Sequence, residues 1–377
     1  MSEKTTKIRA AVLRELPGPW TVEELELSAP KKGEVLVELK ASGLCHSDDH
    51  HRQNDLPLPN LPAIVGHEGA GIVRAVGEGV SDLEVGDHIV CSFIPACGKC
   101  KWCSLGMQNL CDYGRFILEG TQIDGTFRVT DADGKGVATA AMLGTFSNYQ
   151  IMDQTSVIKI DKDIPFEIGA IVACGVPTGI GSARNMAEVK AGDIVVIVGI
   201  GGIGMNAVQG AAIGGAQRVI AVDPVEYKRK RALEFGATDA VATIAEAENL
   251  AKSLTNGQGA DSAIITVGVI TSEIVAQAYN TIRKGGTLVV TALGNHAETL
   301  EGINLFDLAM MQKRIQGNVY GGWSPRVAVP TLLDMYRNKK LKLDELITKR
   351  YKIDEINEAY DDMRNGKNIR GVIIHEH

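Results

Sequence analysis

The chain has 377 residues, 39 basic against 46 acidic, for a formal net charge of −7, with 45% hydrophobic and 23% charged residues. These are ordinary globular values over a length that allows two or three domains, so they exclude a disordered chain and remove any need for disulfide stapling. The acidic balance speaks against nucleic-acid and anionic-membrane partners, both of which reward clustered positive charge.

The opening residues are charged where a signal sequence needs an apolar stretch, and no run approaches the ~20 apolar residues of a membrane helix. The longest candidate, 194–205, is short and carries four glycines. A cytoplasmic protein without membrane contact is expected. Over the first 150 residues, short apolar runs at 35–39, 71–76 and 88–92 read as strands of a barrel-like region, with Gly77, Gly79 and Gly86 at turns. From about Thr178 the rhythm changes. Strand-like runs at 194–198, 219–222, 263–266 and 287–291 alternate with helical stretches, the pattern of βαβ units and a parallel sheet. Past Gly321 the chain is polar and helical over 327–340 and 353–365, then closes on a strand at 371–374. The expected fold is α/β, with a nucleotide-binding domain at 178–321 inserted in a discontinuous β-rich domain formed by 1–177 and 322–377.

Gly199, Gly201 and Gly204, with Gly202 and Ile203 between the last two, form G-x-G-x-x-G. In a chain with 42 glycines the pattern alone is weak. Its context strengthens it: a strand precedes, a helical stretch follows, and a second strand ends in Asp223, near the ~20-residue interval of dinucleotide sites. Gly199 permits the tight turn, Gly201 lets backbone approach a pyrophosphate, and Gly204 lets helix pack closely on strand. Asp223 would accept from the adenosine-ribose hydroxyls and repel a 2′-phosphate, which favours NAD over NADP. The rival is a glycine turn without ligand. The basic run 228–231 reads better as a solvated helix start than as a nucleic-acid patch.

Seven cysteines, at 45, 91, 97, 100, 103, 111 and 174, are too clustered for a disulfide framework in a reducing compartment. Cys97, Cys100, Cys103 and Cys111 can close a tetrahedron around Zn²⁺, and a saturated four-thiolate shell is structural; an iron–sulfur cluster is the chief rival. Cys45, His67 and Cys174 are too scattered for spacing to join, and a lone buried Cys or His is more often core than ligand. His67 does stand in a turn of small residues, Gly66 to Gly71, able to present a side chain into a cleft.

Gly43-Leu-Cys45-His-Ser47-Asp-Asp-His50, Gly66-His67-Glu68, the four-cysteine lobe, Cys174-Gly-Val-Pro-Thr-Gly179 and the glycine fingerprint occur together and in order. Over nearly its whole length the chain resembles the zinc-dependent alcohol dehydrogenases of the medium-chain family. Stretches 91–97, 142–146, 222–227 and 365–372 resemble the nitroso-dye-dependent (NDMA-dependent) members, which are nicotinoproteins. The resemblance implies a Rossmann NAD-binding domain inserted in a GroES-like catalytic domain, with a structural-zinc lobe at about 95–113. It implies two Zn²⁺ per subunit: a catalytic one on Cys45, His67 and Cys174 with Glu68 nearby, and a structural one on Cys97, Cys100, Cys103 and Cys111.

It further implies that Ser47 accepts the alcohol's proton and passes it through the nicotinamide ribose to His50, which meets solvent; the adjacent His51 is an alternative terminus. Asp48 would orient His67. His46 and Arg370 would meet the pyrophosphate, and Lys228 the adenosine ribose. Phe93 and Leu143, joined by Phe116 or Leu118, would line an apolar pocket for primary alcohols. The implied reaction is oxidation of alcohol to aldehyde by hydride transfer to a tightly bound NAD(H). An external acceptor, a nitroso dye in the assay and a mycofactocin-type carrier in the cell, would reoxidise it in place. The alternatives are an NAD-exchanging alcohol dehydrogenase or a thiol-adduct formaldehyde dehydrogenase. A non-catalytic relative is disfavoured because no ligand or relay residue is missing. Residues 119–140 depart from the shorter vertebrate-type pattern and are expected to form a lid or an interface. A homo-oligomer is expected through the edge of the cofactor-domain sheet, at 287–291 and 302–305.

Overall fold

The computed structural model describes residues 5–377. The chain divides into two compact units, one running to Cys174 and resuming at Trp323–His377, the other Gly175–Gly322. The divisions at 174/175 and 322/323 stand beside the 177/178 and 321/322 expected from composition.

The first unit holds a closed barrel and a seven-stranded sheet. Around the barrel run Thr6–Leu13, Trp20–Leu27, Val129–Thr130, Gly136–Thr139 and Ala63–Ile64. Its interior is apolar: Ala10, Val12, Leu25, Leu27, Val65, Val129 and Val137 are buried together with Ile356, Ala359 and Tyr360 of the C-terminal helix Ile356–Arg364. Each buried Val, Leu or Ile side chain stabilises the fold by about 1.5–3 kcal/mol. Part of residues 119–140 is therefore built into the barrel itself. Their hairpin, Val129–Thr130 with Gly136–Thr139, supplies the strands that close the barrel between Trp20–Leu27 and Ala63–Ile64. The buried guanidinium of Arg128 anchors it, pairing with Glu34 at 2.5 Å and Asp124 at 2.9 Å.

In the seven-stranded sheet the long strand Glu34–Gly43 is the organiser. One edge pairs antiparallel with Gly69–Val76; along the other, Tyr149–Asp153 pairs with its first half and Arg370–Ile374 with its last three residues. The expected strands 35–39, 71–76 and 88–92 fall in or across Glu34–Gly43, Gly69–Val76 and His88–Cys91. Strand Glu34–Gly43 ends two residues before Cys45.

The second unit is a six-stranded parallel sheet in the order Asp239–Val241, Arg218–Val222, Ile194–Val198, Ala260–Ile265, Ile282–Val290, Arg314–Gly317. In chain order this is 3-2-1-4-5-6, the doubly wound Rossmann topology, whose direction reverses between Ile194–Val198 and Ala260–Ile265. Ile194–Val198 is β-branched throughout and buried at every position, as a strand covered on both faces must be.

The expected subunit edge is corrected here. Residues 287–290 belong to Ile282–Val290, which is paired on both sides, by Ala260–Ile265 and by Arg314–Gly317. Its continuous apolar run marks an inner strand; the sheet ends on Arg314–Gly317. Residues 302–305 form no strand. Asn304 accepts from the backbone N–H groups of Phe306 (2.9 Å) and Asp307 (3.2 Å) and so starts the helix Leu305–Met310. Among the described residues no single helix is long and apolar enough to cross a membrane.

Candidate active site and metal centres

In the first unit the four lobe cysteines converge, with all their Sγ atoms within 4.8 Å of one another. Cys97 and Cys103 sulfurs lie 3.9 Å apart, and Cys100 and Cys111 sulfurs 4.0 Å apart. A tetrahedron with bonds of ~2.3 Å has sulfurs roughly 3.8 Å apart, so the cage has the size of a zinc site. Backbone amides are already aimed at the sulfurs: Cys103 N donates to Cys100 Sγ (3.4 Å) and Cys97 N to Cys111 Sγ (3.5 Å). Backbone N–H groups of Asp112 and Cys103 hold the Cys100 thiol down at about 6. Burial pushes Cys111 up to about 12. Four sulfurs this close ionise together only around a cation.

The scattered trio also converges. Cys45, His67, Glu68 and Cys174 are all buried, with ligand atoms within 4.8 Å of one another. Cys45 stands between strand Glu34–Gly43 and helix His46–Arg52, His67 just before strand Gly69–Val76, and Cys174 just past helix Phe166–Val172. Asp48 Oδ1 accepts from His67 Nδ1 (3.0 Å) and from Gly66 N (3.1 Å). With Nδ1 so engaged, Nε2 is left for the sulfurs, the arrangement metal-bound histidines require. Burial works against an imidazolium here, yet Asp48 and Cys45 hold His67 well above the ordinary range. A hydrogen bond with Cys174 holds the Cys45 thiol well below its own, and the same bond pushes Cys174 up. The pocket thus favours positive charge among its donors, and two thiols with one imidazole suit Zn²⁺.

Behind this cluster Glu68 is ion-paired with Arg370, and burial pushes the Glu68 carboxyl up to about 7 against the pull of the guanidinium. Glycine is required at 43, because a Cβ there would strike the Glu68 carboxylate and crowd Arg370 Nη2. The expected pyrophosphate contact, Arg370, is therefore a buried residue with its guanidinium turned to Glu68.

Ser47 Oγ lies 3.6 Å from Cys45 Sγ. His50 departs from expectation: it is 2% exposed and does not meet solvent itself. Its Nδ1 is 3.0 Å from Asp55 Oδ2, and that carboxylate side chain is 28% exposed. Asp55 escaped the sequence reading, although its position five residues after His50 was an available signal. His51 instead turns Nδ1 toward Leu56 O at 3.3 Å. The His46 ring, half-buried, sits 5.0 Å from that of His50, and burial followed by the charge of His50 lowers its pKa. Among the pocket candidates, Phe93 stands edge-on to the His67 ring at 5.4 Å. Leu143 is fully enclosed in the core with Val35, Val37 and Leu39 and presents no surface, so it lines no pocket directly. Phe116 is buried under the Arg115 guanidinium, and Leu118 is exposed.

In the second unit the fingerprint has the predicted form. Gly199 follows its strand at φ +90°, and a Cβ there would come within 2.7 Å of the Val267 backbone. Around Gly201 a Cβ would meet no atom within 4 Å, an open face where a ligand can approach the main chain. A Cβ on Gly204 would strike the Gly199 carbonyl and come within 2.8 Å of Thr266 Oγ1. Gly202 and Ile203 open the helix Gly202–Ile213. Asp223 Oδ2 accepts from Ile200 N (2.8 Å) and Oδ1 from Val225 N (2.9 Å), which ties the glycine turn to the neighbouring strand. A carboxylate has about four acceptor sites, so two remain for a diol. Lys228 is half-buried on helix Glu226–Glu234, while its neighbours Arg229, Lys230 and Arg231 serve Asp223 O, Glu226 and Glu234.

Residues 31–162 match the family described as alcohol dehydrogenase GroES-like domain, and residues 202–338 match zinc-binding dehydrogenase. Over 369 residues the chain is 49% identical to the NDMA-dependent alcohol dehydrogenase of Amycolatopsis methanolica, covering 98% of this chain and 99% of that one. Among solved structures it is similar to an alcohol dehydrogenase zinc-binding domain protein from Burkholderia ambifaria (TM-score 0.92, 32% identity, 99% of this chain and 100% of that one). It is also similar to the benzyl alcohol dehydrogenase of Acinetobacter calcoaceticus (TM-score 0.90, 30% identity, 98% and 100%). With both domain matches, both sulfur clusters and the doubly wound sheet in one chain, this protein belongs to the zinc-dependent alcohol dehydrogenases of the medium-chain family and is similar to their NDMA-dependent members.

Proposed function

We propose that the chain oxidises primary alcohols to aldehydes, passing hydride to an NAD that it retains and that an external acceptor, of mycofactocin type, reoxidises in place. The observation that carries the chemistry is the buried Cys45–His67–Cys174 cluster with Asp48 on His67 and Ser47 alongside; the 49% identity to an NDMA-dependent enzyme supports retention. Cys45, His67 and Cys174 would hold the catalytic zinc and Cys97, Cys100, Cys103 and Cys111 a structural one, two per subunit. When bound, the catalytic zinc supplies Lewis acidity at the alcohol oxygen.

The rest falls to the chain's own residues. Ser47 accepts the alcohol's proton and His50 receives it in turn, as groups able both to accept and to donate. Because His50 is buried against Asp55, the outlet to solvent is the Asp55 carboxylate. Phe93 gives the substrate an apolar flank beside His67. The turn at Gly199–Gly204, with its open face at Gly201, receives the pyrophosphate, and Asp223 selects NAD. Lys228 adds positive charge toward the cofactor, and His46, whose pKa is lowered by burial, offers it a neutral ring N–H. A homo-oligomer forms where the edge strand Arg314–Gly317 adjoins an exposed apolar helix.

The deciding experiment is the near-ultraviolet spectrum of extensively dialysed protein, before and after adding a primary alcohol. We expect a reduced-nicotinamide band that stays with the protein, grows with alcohol and bleaches with the nitroso dye. No band, with activity only when free NAD is supplied, would make this an ordinary NAD-exchanging dehydrogenase.

A further inference from the structure

Asp48 holds His67 through one oxygen only. Its Oδ1 receives both His67 Nδ1 and Gly66 N, which leaves Oδ2 on a side chain 2% exposed. Among the described residues the donor that reaches Oδ2 is the phenol of Tyr360, 3.4 Å away and 312 positions along the chain. The same hydroxyl lies 3.3 Å from Cys45 O. A phenol has one hydrogen to give. Cys45 O already receives Asp48 N at 3.2 Å, whereas Oδ2 carries charge and has no second donor, so Oδ2 is the stronger claimant.

The ring that carries this hydroxyl is fixed independently of it. Tyr360 is fully buried, stacked on Trp20 at 4.3 Å and edge-on to Phe146 at 6.2 Å. Arg52 covers the Trp20 ring at 5.0 Å. The helix Ile356–Arg364 is pinned at its end by Arg364, whose two N–H···O bonds to Asp49 are both 2.8 Å. Asp49 and Asp48 are adjacent on helix His46–Arg52, so the C-terminal helix grips that short helix at both residues.

We propose that Tyr360 is a positioning residue for the catalytic metal site: its hydroxyl fixes the Asp48 carboxylate in the rotamer that holds His67 with Nε2 turned to Cys45 and Cys174. This rests on the reading of Cys45, His67 and Cys174 as zinc ligands. At 3.3–3.4 Å the bond is longer than the usual O–H···O range, so its effect is smaller than that of Asp48 itself.

Tyr360→Phe deletes the hydroxyl and keeps the ring on Trp20 and Phe146. The test follows zinc release from the purified holoenzyme into an excess of chromogenic chelator, with the four-cysteine site as internal reference and a Cys45→Ser variant to assign the phases. In Tyr360→Phe one zinc should leave roughly threefold to fivefold faster and the other at the wild-type rate; in Asp48→Asn the same zinc should leave roughly 10–100-fold faster. The ligand-field band of the cobalt-substituted enzyme should shift in both variants. If Tyr360→Phe releases both metals at wild-type rates while Asp48→Asn accelerates one, the hydroxyl does not position the site. Equal acceleration of both metals would show general loosening and overturn the proposal as well. If Cys45→Ser keeps the wild-type zinc content, the ligand assignment fails first and takes the role of Tyr360 with it.

Discussion

At the scale of single residues, burial decides which titrations matter to the fold. His375 is buried beside Ser42, whose hydroxyl hydrogen goes to Thr145 O at 2.6 Å. Ser42 Oγ therefore accepts from His375 Nε2 at 2.8 Å. Burial, with the charge of His377 behind it, pushes His375 down to about 3. The unfolded chain takes up that proton near pH 6.5 and the folded chain does not, so stability is complete above about 6.5 and falls as pH drops toward 3. The slope is about 1.4 kcal/mol per pH unit, or about 2 kcal/mol lost by pH 5. His375→Gln keeps a donor for Ser42 and cannot titrate. Urea unfolding at pH 7 and pH 5 should show wild type losing that extra stability and the variant not; parallel losses would clear His375 of the effect. Legibility at this scale followed sequence distance. The lobe cysteines lie within one short stretch, and their spacing alone indicated a metal cage. Nothing local joined Cys45, His67 and Cys174, since they meet only because strand Glu34–Gly43, the Gly66 turn and helix Phe166–Val172 end at one place. For them only whole-motif resemblance spoke. The solvent exit misplaced at His50 is a burial property, which neither spacing nor resemblance carries.

At the scale of elements, the hairpin Val129–Thr130 with Gly136–Thr139 shows how one ion pair can hold a barrel shut. Glu34, at the start of the organising strand, is buried, and both its oxygens face the Arg128 guanidinium. Truncating such a partner leaves an uncompensated buried charge, which typically costs about 3–5 kcal/mol. Glu34 Oε2 also accepts from Lys31 N at 2.8 Å, and Asp124 and Lys31 stand nearby to rearrange, so the low end applies. Arg128→Ala should lower unfolding stability by about 3 kcal/mol in denaturant titration, and Arg128→Ala with Glu34→Gln together should recover part of the loss. A single variant within about 0.5 kcal/mol of wild type would mean that strand pairing alone closes the barrel. These two-residue and four-residue strands carry too little alternation to be read from sequence. The inner strands of the Rossmann unit are long apolar runs and were legible. The mistaken subunit edge came from the same source: a run such as 287–291 says that a strand is apolar, not which neighbours it has.

At the scale of the molecule, the second unit ends on a strand and an apolar helix that its core uses only through Ile315 and Leu308. Arg314–Gly317 closes the sheet on one side, and the nearby helix Leu305–Met310 has no buried residue. Its side chains are large and apolar: Leu305 is 74% exposed, Phe306 71% and Met310 63%. The helix is held by half-buried Leu308 against the core, by the Asn304 cap at its start and by Lys313 pairing with Asp307 at 3.1 Å. Scattered apolar residues on a surface need no explanation, but several on one short helix beside an open edge form a patch that water disfavours. A second copy of the chain offers the same patch and edge, and a two-fold arrangement lets each cover the other. Phe306→Lys should therefore lower the mass measured by sedimentation velocity. It should change the unfolding of the separated chain by less than about 0.5 kcal/mol, because an exposed side chain leaves no cavity when replaced. An unchanged mass for Phe306→Lys and for Leu305→Lys with Met310→Lys would overturn the reading of this patch as a contact between copies. A fall in mass together with a large loss of chain stability would show that the helix belongs to the fold of one subunit rather than to the seam between two.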